Sequence, residues 1–318
     1  MNRLGAAGEA FLFIINFMMD EVYIIPETEI PDCPLKFQIP GRSGLMGEAA
    51  GISDFNFSAT PVPYPQYLAA FNKVQAELQQ GNSYLANLTL PTPISTGLTL
   101  EQIYTHSDAP YKLLFDERFV VFSPEPFVQI NKGVISSFPM KGTIDANVEN
   151  AESVILLDPK ETAEHRTIVD LIRNDLGMVA GNVQVKRFRY IDKIQTHKGT
   201  LLQVSSEITA DLPTDYPARI GELLFTLLPA GSVTGAPKKK TVEVILEAEQ
   251  YDRGFYTGVF GFFDGVNLDS SVMIRFIEQE PDGNKIFKSG GGITAFSDPE
   301  KEYHELIDKI YVPFTRIH

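Results

Sequence analysis

Between Asp158 and Gly177 the apolar residues recur at helical spacing. Ile168, Val169, Leu171, Ile172 and Leu176 form one stripe, and Arg166, Asp170, Arg173 and Asn174 take the outer face. This is the pattern of a helix with one side on a core. Asp158 suits the N-cap, Pro159 the first helical position and Gly177 the C-terminal stop. A second helix is predicted over 64–80, where Tyr67, Leu68, Phe71, Val74 and Leu78 share a face and Gly81 follows. Residues 217–228 read as helical, and the turn 229–237 launches a helix to about Ala248 with Pro237 at its first position. Asp298-Pro299 repeats the Asp-Pro start and opens a helix to about Ile310, with Tyr303, Leu306, Ile307 and Ile310 as its stripe.

The remaining apolar runs read as strands. Residues 11–19 form a continuous apolar run, expected as a buried strand. Others are expected at 83–90, 119–130, 134–138, 182–191, 194–209 (carrying His197-Lys198-Gly199-Thr200), 255–263, 266–278 and 285–289. Asn131-Lys132-Gly133 and Asp264-Gly265 are hairpin signals. Residues 20–63, punctuated by six prolines and four glycines, read as a long loop or flap. Hairpins with helices spread between them indicate an α+β fold and not alternating βαβ units. No repeat or linker divides the chain. One domain over 1–318 is expected, with 1–63 an N-terminal strand and loop segment and 64–318 the core.

Composition adds exclusions. With 318 residues, 43% hydrophobic and 21% charged, the chain is ordinary globular material. A formal net charge of −14 argues against a nucleic-acid partner held through phosphates. The short basic clusters Lys238–Lys240 and Lys186, Arg187, Arg189 read as solvated. Cys33 is the only cysteine, which rules out an intrachain disulfide and fits a reducing cytoplasm. The run after Arg3 is interrupted by Asn16, lacks a cleavage site and is too short to span a bilayer. A cytoplasmic protein with no membrane segment is expected.

Candidate chemistry collects on the two Asp-Pro helices. Glu161, Glu164 and His165 project from the side of the apolar stripe in the first. A buried carboxylate must be paired, hydrogen-bonded or bound to metal. Acids without cysteine suit a hard cation such as Mg²⁺; alternatively they sit in water, favoured by the helix dipole. Glu302, Glu305 and Lys309 on the second helix are either an exposed edge with a Glu305–Lys309 pair or the other half of one cation site. Gly290-Gly291-Gly292 and Gly231-Ser232-Val233-Thr234-Gly235 precede helices and can bring backbone to an anion, or form tight turns. The glycine triplet can equally mark a bulge, and neither stretch has dinucleotide or Walker spacing. Folding over the Asn131 turn brings Glu125 level with Lys141. The pair is a cross-strand ion pair or an amine nucleophile beside a general acid. Arg275 and Tyr256 suit carboxylate binding, or are a structural ion pair and a core tyrosine.

Taken together, GNSYLANLT, FSPEPF, FPMKGT, DPKETAEHRTIVDLIRNDLG, LLPAGSVTGAPK, RGFYTGVFG, MIRF and GGGITAFSDPEKEYHE resemble the chorismate-utilising enzymes. These include anthranilate synthase component I, aminodeoxychorismate synthase component I, and the isochorismate and salicylate synthases. The resemblance runs from about residue 65 to the end and implies one large domain of two packed antiparallel sheets surrounded by helices. It implies Mg²⁺ held by Glu164 and Glu305, with Glu161 and Glu302 in support. It assigns the substrate carboxylate to Tyr256 and Arg275 beside Gly290, Gly291 and Gly292, and other chorismate contacts to His165, Thr143, Thr234 and Lys309. Anthranilate synthases carry Ala where Lys141 stands, so Lys141 points to aminodeoxychorismate synthase. There Lys141 would attack ring C2 while Glu125 protonates the departing C4 hydroxyl, and ammonia would then displace the lysine. Water-using members carry Lys at the position of Leu85, so isochorismate and salicylate synthesis are not expected. The ammonia implies a glutamine amidotransferase subunit as partner in a heterodimer, and the product would feed 4-aminobenzoate and folate synthesis. The likeness departs at Pro126, at Ile144-Asp145-Ala146 and at Phe296. The N-terminal part is shorter than in many relatives and lacks a segment matching the tryptophan feedback site.

Overall fold

A computed structural model describes residues 1–44, 56–196 and 199–314. Residues 45–55 of the expected loop, and His197 and Lys198 of the expected strand, lie outside the described residues.

The described residues fold into two sheets of nine strands each, antiparallel throughout, with helices against them. The first sheet runs Met140–Asp145, Gly199–Asp211, Val134–Ser137, Pro126–Asn131, Leu268–Val272, Val259–Phe263, Phe11–Ile15 and Val22–Pro26, with Gly181–Thr196 also paired to Gly199–Asp211. The second runs Gly235–Ala236, Leu85–Thr96, Lys285–Ile293, Phe276–Gln279, Phe119–Ser123, Tyr111–Phe115, Leu35–Ile39 and Arg42–Ser43, with Phe57–Ala59 on Leu85–Thr96.

Phe11–Ile15 shows why its sequence is apolar at every position. Phe11, Phe13 and Ile15 pack with Ile168, Val169, Ile172 and Leu176 of the first Asp-Pro helix. Leu12 and Ile14 face the other way, into the core between the sheets, with Phe37, Leu113, Val121 and Phe276. A strand covered on both faces loses the usual alternation. The second sheet's outer face is covered by the helix Tyr64–Gln79 with the helix Lys238–Glu249, and by the helix Leu100–His106.

Residues 20–63 are not one long loop. They contribute Val22–Pro26, a 3-10 turn over Glu27–Asp32, Leu35–Ile39, Arg42–Ser43 and Phe57–Ala59. The prolines punctuate short strands that other parts of the chain complete. The helix Ala151–Leu157, the helix Leu100–His106 and the strands Tyr111–Phe115 and Met140–Asp145 were likewise not expected. The first Asp-Pro helix runs Pro159–Val179, so Gly177 lies inside it. Leu85–Thr96 continues through Pro91 and Pro93.

Two runs expected as single strands are each broken. The 119–130 run divides into Phe119–Ser123 in the second sheet and Pro126–Asn131 in the first. Pro124 and Pro126 have no N–H to give a ladder, which is where the chain can leave one sheet for the other. The 266–278 run divides into Leu268–Val272 in the first sheet and Phe276–Gln279 in the second. Its crossing includes Arg275 at φ 54, the left-handed region a non-glycine residue seldom occupies. The two crossings lie side by side, because both pairs of halves are hydrogen-bonded neighbours.

Candidate active site

The crossings put Glu125 and Arg275 at the seam of the sheets. The Glu125 carbonyl accepts from the Ser271 hydroxyl (2.8 Å) and the Val272 N–H (3.2 Å). The Arg275 carbonyl accepts from the Phe122 N–H (3.2 Å). A cavity of about 460 Å³ opens there, lined by both residues and by Lys141, Thr143, Tyr256 and Lys309. A hollow of about 440 Å³ beside Cys33 and Lys36 is as large, but there Lys36 already pairs with Glu101. Convergent chemistry, not size, singles out the seam.

Both Asp-Pro helices start as expected and aim at this cavity. Asp158 accepts from the Glu161 N–H (2.9 Å), and Asp298 from the N–H groups of Glu300 (3.1 Å) and Lys301 (3.0 Å). Glu161, Glu164, Glu302 and Glu305 all line the cavity. Glu302 is buried and accepts from the Ser297 hydroxyl (2.8 Å), so the exposed-edge reading fails for it. Glu305 is exposed and pairs with Lys309 (2.7 Å), whose Nζ also donates to the Gly290 carbonyl (2.8 Å). Burial lowers the Lys309 pKa, against the pull of Glu305.

Lys141 stands on Met140–Asp145, where the register slips between Met140 and Thr143. Two strands separate it from the strand after Glu125, so the two are not cross-strand neighbours. Its Nζ lies 3.9 Å from Glu164 Oε2. Gly292 and Gly142 leave room for these groups. A Cβ on Gly292 would stand 2.9 Å from Lys141 Nζ, and one on Gly142, at φ +85, 2.8 Å from Glu161 Oε2. Burial raises the pKa of Glu125, opposed by the Ser232 hydroxyl and the charges of Lys141, Arg275 and Lys309. A carboxyl so placed holds its proton to higher pH than an exposed one.

Arg275 forms no ion pair among the described residues, so it is not a structural ion pair. Its Nε has no hydrogen-bond partner, and the guanidinium lies 5.3 Å from the Tyr311 ring. An unsatisfied guanidinium on a cavity wall can take an anion. Tyr256 is 3% exposed and burial raises its pKa, so its hydroxyl remains a donor.

Two of the expected contacts stand off the cavity wall. His165 is absent from the cavity wall; it is fully buried with Nε2 2.7 Å from the Ser206 hydroxyl. Burial, with Arg189 nearby, lowers its pKa to about 4. Thr234 is also fully buried off the wall, while Ser232 and Val233 of the same turn line it. The strand expected to end at Ser289 runs on through the three glycines to Ile293. Gly290 and Gly292 line the cavity, and a Cβ on Gly291 would come 3.4 Å from Glu305 Oε1.

Asn87 and Gln203 also line the cavity and were missed; Asn87 is a polar residue in the apolar start of its strand, which is a readable signal, whereas Gln203 is one of several polar residues in its strand. The basic clusters are not simply solvated. Lys238 pairs with the buried Asp175 (2.8 Å). Arg189 donates to the Leu156 carbonyl (2.8 Å) and the Thr162 hydroxyl (2.6 Å).

The acids supply oxygen donors only. Among the described residues no three His, Cys, Asp or Glu side chains gather closely enough to hold an ion by themselves. Oxygen donors are the type a hard cation such as Mg²⁺ takes. Among the described residues no helix is long and apolar enough to cross a membrane.

Comparison with known proteins places the chain in a family. Residues 54–315 match the chorismate binding enzyme family. The chain is 51% identical over 313 residues to an uncharacterized PabA-like protein of Pasteurella multocida, covering 98% of this chain and 96% of that one. It is 33% identical over 261 residues to aminodeoxychorismate synthase component 1 of Klebsiella aerogenes, covering 77% of this chain and 56% of that enzyme. It is 38% identical over 201 residues to anthranilate synthase component 1 of Acetivibrio thermocellus, covering 60% and 39%. The crystal structure of a putative isochorismate synthase, DhbC, from Bacillus anthracis superposes with TM-score 0.70 at 20% identity, covering 94% of this chain and 81% of that one. With its seam cavity, its two acid-bearing helices and a family match over most of its length, this chain belongs to the chorismate-binding enzymes.

Proposed function

We propose that this chain is the chorismate-aminating component of aminodeoxychorismate synthase, converting chorismate and ammonia to 4-amino-4-deoxychorismate and water. The observation that carries the reading is the Lys141 amine inside the cavity, backed by Gly292 and 3.9 Å from Glu164. Arg275 and Tyr256 take the pyruvyl carboxylate. The Lys141 amine attacks ring C2 as the C4 hydroxyl departs with a proton from Glu125. Ammonia then adds at C4, the electron pair of the breaking C2–N bond returns Lys141 to its starting state, and the proton shed by the new C4 ammonium restores Glu125. Glu164 and Glu305, with Glu161 and Glu302, hold Mg²⁺, which when bound neutralises the repulsion between these acids and the substrate dianion. A glutamine amidotransferase subunit delivers the ammonia.

Leu85 has no proton to exchange with water, which supports amination over hydration. The test is incubation with chorismate, Mg²⁺ and ammonium, followed by aminodeoxychorismate lyase. Release of 4-aminobenzoate only after the lyase is expected, and its loss in Lys141→Ala. Formation of 2-aminobenzoate without lyase would make the chain an anthranilate synthase instead, and absence of turnover would leave it a binding subunit.

A further inference from the structure

Among the described residues the largest fully buried side chain, Arg253, belongs to no part of this chemistry. It pairs with Glu249, the last residue of the helix Lys238–Glu249. All five guanidinium N–H groups are used. Nε donates to Glu249 Oε2 (2.8 Å); Nη2 donates to Glu249 Oε1 (2.6 Å) and the Asn87 carbonyl (2.6 Å). Nη1 donates to the Val233 carbonyl (3.0 Å) and the Thr257 hydroxyl (3.1 Å). Glu249 Oε1 also receives the N–H (2.7 Å) and the hydroxyl (2.9 Å) of Thr89. The pair is therefore satisfied on both sides.

A buried ion pair is weak evidence for stability, because desolvation offsets much of the attraction. What a planar five-donor fork adds over apolar packing is fixed geometry. Here it reaches three pieces of the cavity wall. Asn87 and Val233 line the cavity, and Thr257 follows Tyr256, which also lines it. The turn bearing Tyr256 is strained, since the β-branched Thr257 sits at φ 62, a conformation that persists only where its surroundings over-determine it. Lys288 closes the same turn from behind on the carbonyls of Asp252 (3.3 Å) and Arg253 (3.0 Å). The Thr257 N–H donates to the Met273 carbonyl (2.8 Å), two residues before Arg275.

We propose that Arg253, held by Glu249, is a positioning residue that registers Asn87, Val233 and Tyr256 against one another around the substrate. The proposal rests on the reading of the seam cavity as the chorismate site. Arg253→Lys keeps the charge but carries three donors on one nitrogen and cannot span these acceptors. Arg253→Met combined with Glu249→Leu removes both charges at similar volume and tests the geometry separately from the burial of an unpaired charge.

Each variant is compared with the unaltered chain by thermal unfolding, by calorimetric titration of chorismate with Mg²⁺ present, and by kcat and KM for the ammonium-dependent reaction. The paired variant is expected to unfold within about 5 °C of the unaltered chain. In both variants the chorismate dissociation constant and KM rise by about 10- to 100-fold. Tyr256→Phe added to Arg253→Lys costs less than it does alone, because the two act through one contact. A folded variant that binds chorismate within about twofold of the unaltered chain, or strict additivity with Tyr256→Phe, overturns the proposal. If the unaltered chain binds chorismate but forms no 4-amino product, the proposed reaction fails while the binding comparison still decides Arg253. If it does not bind chorismate at all, both fall.

Discussion

Replacing Gly292 with alanine separates catalysis from stability. Gly292 lies in the strand Lys285–Ile293, outside the left-handed region, so its backbone accepts a side chain. The new Cβ would stand 2.9 Å from Lys141 Nζ and 3.2 Å from Leu85 Cδ1. Optimal contact begins near 3.5–4.0 Å, so the amine must retreat by roughly 0.6–1.1 Å. It is the free end of a flexible side chain, so the retreat costs the fold little. Loss of glycine's freedom in the unfolded chain contributes roughly 0.4–1 kcal/mol in the other direction. Chemistry is less tolerant: a misplacement of about 1 Å can cost about 100-fold in rate, or ~2.7 kcal/mol of barrier. Gly292→Ala should therefore unfold in urea within about 1 kcal/mol of the unaltered chain while forming 4-amino-4-deoxychorismate up to about 100-fold more slowly. The coupled lyase assay and a urea titration on the same preparation measure both. A stable variant with undiminished turnover would refute the claim that the amine beside Gly292 reacts.

Glu125→Gln removes the proposed proton donor and should lower kcat by about 10²–10⁴-fold. In the unaltered enzyme kcat should fall as pH rises through the raised Glu125 pKa, and a rate profile that stays level there would dismiss the general-acid role. Glu164→Gln should weaken Mg²⁺ binding measured calorimetrically with chorismate present, and an unchanged titration would remove Glu164 from the metal set. The fold lowers the His165 pKa from 6.5 to about 4, so the stability linked to it is present above pH 6.5 and lost as pH falls toward 4. The loss amounts to about 3 kcal/mol. Denaturant titrations across that range should show it, and His165→Gln should flatten it.

The Asp-Pro helices and the Asp264-Gly265 hairpin were legible because cap, turn and periodicity are local. The acids were legible because four carboxylates on two apolar-striped helices require an explanation. The crossings at Pro124 and Met273–Arg275 were not, since an apolar run continues unchanged when the chain passes from one buried sheet to another. The strand was expected to end at Ser289, before the glycine triplet, because the cause of the glycines, the nearness of Lys141 and Glu305, comes from distant segments. His165 shows the opposite error. Its neighbour Glu164 reaches the cavity, but one residue further round the helix points into the core. Glu249 and Arg253 look like a surface pair four residues apart, and only the fold reveals that the guanidinium is sealed in.

The strand Phe11–Ile15 bears on where this protein can be cut. The family match begins at residue 54, yet this strand is hydrogen-bonded to Val259–Phe263 near the other end of the chain. A version trimmed to the matched span would leave Val259–Phe263 with a bare edge in the middle of the molecule, an invitation to pair with a second chain. The span matched by the family model is thus shorter than the span that completes the first sheet.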